Sequence, residues 1–447
     1  MKKKMKKTTS YPRLIVFYIL CTVLVGTLLL MLPVATRSGE SAGFEVALFT
    51  ATSASCVTGL VVKDTFTFWS LFGQIVIIVL IQIGGLGFMS FVTLVSHAFG
   101  KSIGLRNRRL IMESSGSLEL DGIMKLLKKV VLGTLFVELC GAILLSFRFC
   151  RDFGFGKGLY YSIFHSISAF CNAGFDLMGT NEQFSSLSAY VDDPLVNITI
   201  IFLILIGGLG FIVWDDILKN KLRFKNYRLH TKLVLTATVI LVFAPAVIFF
   251  VLEYNSSLKD LDLGGKILAS LFQSVTPRTA GFATLNNCEF TDATVLLTIC
   301  LMLIGGNSGS TAGGMKTTTF IVLLLSMISS SRKNNSINVF RRRIDPSVAH
   351  HAASIAFIYV SATVIGTCIL CAVERMTLSA AMFEVSSAIG TVGSSMSMTP
   401  TLSAFSRYLL VLLMFAGRAG GLTLAFVLAE RKKNIPVSHP AEKILIG

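Results

Sequence analysis

Charge is scarce in this 447-residue chain: Asp, Glu, Lys and Arg together make up 14% of it, against 53% hydrophobic residues. That balance excludes one or two ordinary soluble domains, because too little polar surface exists to cover so much apolar volume. Metal and disulfide frameworks are also unsupported. The nine cysteines follow no ligand or pairing pattern. Cys368 and Cys371 form a C-x-x-C, but inside the apolar run Ile355–Val373 without Gly, Pro or a second pair, so packing is the expected role. The six histidines form no ligand cluster. No G-x-G-x-x-G follows a strand pattern, and no phosphorylated-aspartate machinery is present. The longest polar connection, near Gly100 to Lys129, is too short for a nucleotide-binding domain.

What is present is long apolar runs. Arg13–Leu32 has no interior charge and as a helix is about 30 Å long, enough to cross the hydrocarbon core. The following "LPVATRSGES" matches a signal-peptide cleavage site poorly, so a retained first span is expected. The net charge of +16 is unevenly placed. Lys2–Arg13, Lys101–Lys129, Lys219–Lys232, Arg332–Arg343 and Arg431–Lys443 hold 28 of the 40 basic residues. They alternate with acid-richer segments around Asp64, Asp152–Asp193, Glu253–Asp292 and Glu374–Arg407. By the positive-inside rule both termini are then cytoplasmic. Nucleic acid is not an expected partner, since no reader fold or aromatic interleaving accompanies the basic runs.

Internal repetition is the most informative signal. "LFTATSASCVTGL" from Leu48, "IFHSISAFCNAGF" from Ile163, "LFQSVTPRTAGF" from Leu271 and "MFEVSSAIGTVGS" from Met382 read alike. Each sets a Phe (Phe49, Phe164, Phe272, Phe383) nine or ten residues before a Gly (Gly59, Gly174, Gly281, Gly393). Each is preceded by a long apolar span (Arg13–Leu32, Val130–Phe147, Leu233–Leu252, Ile355–Val373). Each is followed by another (Trp69–Phe99, Ile198–Leu218, Ala293–Ser330, Arg407–Leu428). The expected fold is an all-α integral membrane protein of four pseudo-symmetric units, each an outer helix, a re-entrant loop and an inner helix. That makes eight spanning and four short helices around a central pore. The units run 1–100, 101–220, 221–331 and 332–433, with loops near 49–60, 164–175, 272–282 and 383–394, and 434–447 is a cytoplasmic tail.

Re-entry points to ion conduction. Non-helical backbone at membrane depth survives only where protein buries it or water reaches it. Four such loops on one axis can offer a dehydrated cation a cage of carbonyl oxygens, and glycine lets the backbone approach closely.

A second glycine-rich stretch, "GGNSGSTAGGMKTTT" from Gly305, lies inside the last span of the third unit. It nearly matches the phosphate-cradling G-x-x-x-x-G-K-[ST], but Met315 stands where the lysine belongs and no strand pattern precedes it. Ala293–Ser330 as one helix would be about 57 Å long, nearly twice the hydrocarbon thickness, so it must break or tilt. Five glycines melt it near the midplane, and Asn307, Ser308, Ser310 and Thr311 can satisfy freed backbone groups. Arg418 in "FAGRAGG" occupies the fourth unit's equivalent of Gly85 in "IGGLG". An intramembrane arginine is costly and faces a cavity or a partner. Glu138, inside the second outer helix, reads as a packing feature or a helix–helix hydrogen bond.

These residues resemble the Trk/Ktr/HKT superfamily of potassium transporters, most closely its KtrB branch. The resemblance runs from Arg13 to about Lys433 and rests on the four loops, on "SVTPRTAGF" (Ser274–Phe282), and on "IGGLGF" at Ile83–Phe88 and Ile206–Phe211. It implies a potassium-selectivity filter at Val57-Thr58-Gly59, Asn172-Ala173-Gly174, Thr279-Ala280-Gly281 and Thr391-Val392-Gly393. Relatives with Ser in place of the first glycine pass sodium more readily, so Gly59 implies potassium preference. The resemblance makes Gly305, Gly306, Asn307, Ser308, Gly309, Ser310, Thr311, Ala312, Gly313, Gly314 and Lys316 an intramembrane gate. Arg418 becomes an electrostatic barrier in the pore, with bridging of loop carbonyls as the structural alternative. It further implies a non-enzymatic uptake protein of the cell membrane, with sodium as a coupling or activating ion. Its partners would be a second copy of itself and a cytosolic KtrA-like ring binding ATP, ADP or NAD. Binding of anionic membrane lipid explains the basic segments as well as such docking does. The alternatives are the potassium-translocating subunit of an ATP-driven pump and a membrane-bound nucleotide hydrolase using Gly309–Thr317.

Overall fold

The structure, a computed structural model, describes residues 11–98, 123–180, 182–221, 223–333 and 336–420. The expected tail 434–447, the basic segment Arg431–Lys443 and most of Lys2–Arg13 and Lys101–Lys129 lie outside these.

The helices recur in one order. The first quarter holds α1 (Tyr11–Leu30), a short α2 (Gly43–Ser55) and α3 (Leu71–Ala98). The second holds α4 (Ile123–Phe153), a short α5 (Phe155–Phe170), then α6 (Pro194–Leu209) and α7 (Phe211–Asn220). In the third, α8 (Leu229–Glu253) and a short α9 (Leu263–Val275) precede α10 (Asp292–Leu303) and α11 (Thr317–Ser331). The last holds α12 (Pro346–Glu374), a short α13 (Leu378–Gly390) and α14 (Ala404–Ala419). Local chemistry marks the starts. Asp193 and Asp345 cap helices whose first residue is Pro194 or Pro346, and Asp262 accepts from Gly265 N to start α9. A proline at the first helical position loses nothing, because that N–H has no intrahelical acceptor.

Three described segments are long and apolar enough to cross a bilayer: Lys128–Phe153, Leu229–Glu253 and Pro346–Glu374. The pair α6–α7, bent by 94°, is a fourth if taken as one span. Their outer faces stay apolar where nothing covers them, with Phe136 67%, Phe147 70% and Phe357 74% exposed. Such faces suit lipid, which satisfies no polar group.

Two features depart from the expectations. The break expected only within the third unit's second apolar run recurs in the others. Trp69–Phe99 breaks at Gly87 (φ 73°), Ile198–Leu218 at Gly210 (φ 96°), and the described part of Arg407–Leu428 ends at Gly420 (φ 84°). The chain is also not purely helical. β1 (Ile337–Val339) pairs antiparallel with β2 (Arg342–Ile344). Phe340 and Arg341 form the two-residue turn at φ 47° and 60°, the backbone that a right-twisted hairpin requires. Ile337 and Ile344 bury against Val322 and Ala352, which anchors the hairpin to α11 and α12.

Packing closes the four quarters into a ring. Each long first helix packs on its own short helix: α1 on α2, α4 on α5, α8 on α9, α12 on α13. The inner helices reach across the seams, α3 to α5, α6 to α9, α10 to α13 and α14 to α2. The apolar clusters sit at those seams: Phe49, Leu60, Val385 and Leu410 join the fourth quarter to the first, and Phe249, Val295 and Phe383 join the third to the fourth. An ion pair from Arg407 to Glu45, 2.8 Å, spans the closing seam.

Candidate functional site

The short helices, 13, 16, 13 and 13 residues long, are about 20–24 Å and cannot cross a bilayer. Each delivers its chain into a three-residue segment of the same shape. The first residues, Val57, Asn172, Thr279 and Thr391, lie at φ 56°, 59°, 77° and 51°. The glycines that end them lie at φ 94°, 67°, 80° and 96°. A left-handed conformation costs an L-residue about 1–2 kcal/mol, and more for β-branched Val57, Thr279 and Thr391. Four such residues at matching positions persist only because their surroundings over-determine the backbone.

The glycines interlock in a circle. A Cβ on Gly59 would land on the Ala173 carbonyl oxygen, one on Gly174 on that of Ala280, one on Gly281 on that of Val392, and one on Gly393 on that of Thr58. Each segment thus abuts the next in the order first, second, third, fourth, first. All four glycines also line one cavity of about 260 Å³, together with Asp64 and Asp176. Burial pushes the Asp176 carboxyl up to about 7; the Asp64 charge adds to this, while hydrogen bonds from Met178 N and the Ser186 hydroxyl oppose it. Asp64 is held by Thr67 N, the Thr67 hydroxyl and Phe184 N at 2.8, 3.0 and 3.0 Å.

Sequence reasoning missed the groups that hold these segments. Ser53 and Ser387 each accept from the glycine N of their own segment at 3.0 Å. The hydroxyls of Ser168 and Thr276 donate to the carbonyls of Phe175 and Phe282 at 2.7 and 2.6 Å. The backbone carbonyls of Ser53, Ser168 and Ser387 accept from Thr58, Ala173 and Val392 N at 2.8 Å each, and that of Thr276 accepts from Ala280 N at 2.9 Å. A signal existed: a hydroxyl residue stands five or six positions before every one of the four glycines.

The loop between α10 and α11 lies at the other, helix-terminal end of these segments. It follows a helix rather than a strand, and Lys316 donates to the Ala312 and Gly313 carbonyls at 2.7 and 3.2 Å. Ser310 donates to Asn307 O at 2.7 Å, and Gly305 N to Met315 O at 2.8 Å, closing the loop on itself. The bend at Gly210 frees carbonyls of α6 for it. Gly208 O accepts from Asn307 N and Nδ2 at 3.1 and 2.9 Å, and Gly207 O from Thr311 N at 3.3 Å. In return Gly309 O accepts from Phe211 N at 2.8 Å. The approach leaves no room for a side chain: a Cβ on Gly210 would sit 2.7 Å from Ser308 O. The Thr311 hydroxyl lies 3.1 Å from Phe170 O and 3.3 Å from Asn172 Oδ1, and a Cβ on Gly313 would strike the Thr391 side chain. The loop therefore touches both the second and the fourth segment.

Arg418 is tied down rather than free. It donates to Thr311 O at 2.6 Å and, on the far side, to Gly84 O, with Gly85 O at 3.5 Å. It thus links the loop to the broken helix of the first quarter through backbone carbonyls. Glu138 takes a helix–helix bond, accepting from Gln82 Nε2 at 3.0 and 3.2 Å. Among the described residues no His, Cys, Asp and Glu converge on a metal-binding geometry.

The sequence matches the family described as "TrkH: Cation transport protein" over residues 3–435. It is 41% identical to the Ktr system potassium uptake protein B of Bacillus subtilis over 98% of this chain and 96% of that one. It is 38% identical to the potassium/sodium uptake protein NtpJ of Enterococcus hirae over 100% and 99%. The fold resembles the crystal structure of the potassium transporter TrkH from Vibrio parahaemolyticus, with TM-score 0.74 and 18% identity over 96% of this chain and 87% of that one.

Proposed function

The chain belongs to the TrkH family of cation transport proteins, and from that premise we propose that it takes up potassium across the cell membrane through the ring of glycine segments. The observation that carries this reading is the closed circle in which each glycine abuts the neighbouring segment's carbonyl. Backbone oxygens so arranged can replace a cation's hydration shell, and the left-handed residues before them fix their direction. The cavity holding Asp64 and Asp176 is the antechamber: negative charge there raises the local cation concentration before dehydration. Gly59, without a side chain, favours potassium over sodium.

The loop Gly305–Gly314 with Lys316 is the gate. It rests against Asn172 and Thr391 below the filter and is held by Arg418, so conduction requires those bonds to break. A ligand moves such an equilibrium only by its differential affinity for the two states. Relatives of this chain are named as proteins of a Ktr system. A cytosolic KtrA-like ring, loaded with ATP, ADP or NAD and docked under a homodimer of this chain, supplies that affinity. Sodium acts as coupling or activating ion, in keeping with the name of the NtpJ relative.

The test is potassium flux into proteoliposomes with and without sodium and a matched regulatory ring. Potassium-selective uptake is expected. Deleting Asn307–Thr311 should raise flux without the ring and shrink the further gain on adding it, with selectivity unchanged. A correctly inserted protein that passes no potassium would overturn the filter. A deletion that leaves basal and stimulated flux as before would overturn the gate.

A further inference from the structure

Behind the third segment lies a buried cation with no carboxylate partner among the described residues. Arg278, immediately before Thr279, is 6% exposed. Its one hydrogen bond is long, from Nη2 to the Thr317 hydroxyl at 3.5 Å, and its Nε donor is buried without a partner. Two further polar atoms nearby are in the same condition. Asn307 spends its amide nitrogen on Gly208, leaving Oδ1 buried and unpaired, and the Thr238 hydroxyl of α8 is buried and unpaired.

All three residues line one cavity of about 10 Å³ between the second and third quarters. That is about the space of one water. A buried polar group without a partner costs about 1–3 kcal/mol by mutational measures, so three around a single water-sized void are better explained by one bridging molecule than by three separate penalties. The chemistry also suits water. Arg278 Nε can only donate, Asn307 Oδ1 can only accept, and a hydroxyl does either. Three bonds are the usual complement of an interior water.

We propose that this cavity is a binding site for a single ordered water that accepts from Arg278 Nε, donates to Asn307 Oδ1 and bonds the Thr238 hydroxyl, which makes Arg278 and Thr238 positioning residues of the gate loop. The inference rests on the gate reading above. Its consequence is that the loop is held at both ends. Arg418 grips Thr311, while the bridge ties Asn307 to the third filter segment through Arg278 and to the outer helix through Thr238. Thr317 reinforces the same corner, since its hydroxyl donates to Gly305 O at 2.7 Å. Displacement of Asn307 strands the water's partners, so the bridge favours the closed loop and links it to the filter backbone at Thr279.

The experiment is a double-mutant cycle on the full chain in proteoliposomes, reading potassium flux without any regulatory ring. Thr238→Val keeps the shape and removes the hydroxyl; Asn307→Ala removes the acceptor. Thr238 and Asn307 are not hydrogen-bonded to each other, so coupling between them passes through what lies between, which the density map below identifies. Each single variant is expected to raise flux severalfold. The double variant is expected to fall short of the product by about threefold or more, the size of coupling seen within one hydrogen-bond network. Arg278→Lys, which keeps a charge without Nε, should behave like Thr238→Val, and melting temperatures in detergent separate these effects from unfolding. An experimental density map of the full chain should show a peak within hydrogen-bond reach of all three atoms. Multiplicative effects of the two substitutions, or an empty cavity in such a map, would overturn the proposal. These outcomes are distinguishable from failure of the gate reading, in which deletion of Asn307–Thr311 itself leaves flux unchanged.

Discussion

Substituting Arg418 by lysine separates two accounts of what that residue does. The guanidinium makes two backbone hydrogen bonds that point in different directions, to Thr311 O at 2.6 Å and to Gly84 O. Lysine keeps the charge but presents it from one nitrogen, so it cannot hold both carbonyls in that geometry. A hydrogen bond to a charged group contributes about 1.5–3 kcal/mol. Losing one should shift the open-to-closed ratio of the loop by roughly 10- to 150-fold, at 1.36 kcal/mol per decade. A pure barrier behaves differently. A positive charge about 6 Å from the ion, at an effective dielectric of 20, repels it by roughly 3 kcal/mol, and lysine preserves that repulsion. The assay is potassium flux into proteoliposomes without a regulatory ring, for Arg418→Lys and Arg418→Gln side by side, with melting temperature as the check on folding. Both variants are expected to raise flux, within about tenfold of each other. A lysine variant that matches the unmodified protein, beside a glutamine variant that conducts freely, would refute the clamp and leave the barrier.

Three further outcomes follow from the geometry. Gly59→Ser forces a side chain at φ 94° against the Ala173 carbonyl, so potassium-over-sodium discrimination should fall at least severalfold in competitive flux; an unchanged ratio would remove Gly59 from the filter. Asp176, with its carboxyl pushed up to about 7, holds a proton that the unfolded chain has already released near pH 4. Its contribution to stability is therefore lost as pH rises through that window and stays lost above about 7. Asp176→Asn should melt higher than the parent at pH 8 and converge with it near pH 4; low-potassium uptake should rise between pH 6 and 8 in the parent, as the carboxylate forms, and not in the variant. Equal melting at both pH values would refute the shift. Thr276→Val keeps volume but breaks the 2.6 Å bond to Phe282 O; a loss of about 1–3 kcal/mol of stability is expected, measured as a lowered melting temperature with reduced potassium selectivity.

The four glycines were readable in advance because a periodic requirement leaves a periodic trace. Each segment must admit a neighbouring backbone, only glycine does so, and the spacing of Gly59, Gly174, Gly281 and Gly393 repeats accordingly. The break at Gly305–Gly314 was readable from length, since an uninterrupted helix there exceeds the bilayer. The hydroxyls of Ser53, Ser168, Thr276 and Ser387 were legible in principle but hidden among many serines and threonines, and the third is displaced because its loop is one residue shorter. The hairpin at Ile337–Ile344 gave little signal, since its turn is built from Phe340 and Arg341 rather than from glycine or asparagine.

Arg418, Lys316 and Glu138 mark the limit more sharply. That a charge inside an apolar run needs a partner follows from the cost of burying it, and this is a property of the sequence. Which partner it takes is not, because Gly84 and Thr311 are hundreds of residues away from each other in the chain and offer only carbonyls, which every residue has. The same holds for the bends at Gly87 and Gly210. A glycine licenses a left-handed backbone but does not demand it, and the loop pressed against Gly207 and Gly208 makes use of the freed carbonyls. The sequence by itself determined a membrane-embedded, largely helical chain with four recurring glycine-bearing segments, because hydropathy and period are local sums. The closed circle, the clamp and the water-sized cavity were decided only by the tertiary structure, because each depends on backbone atoms brought together from separate quarters.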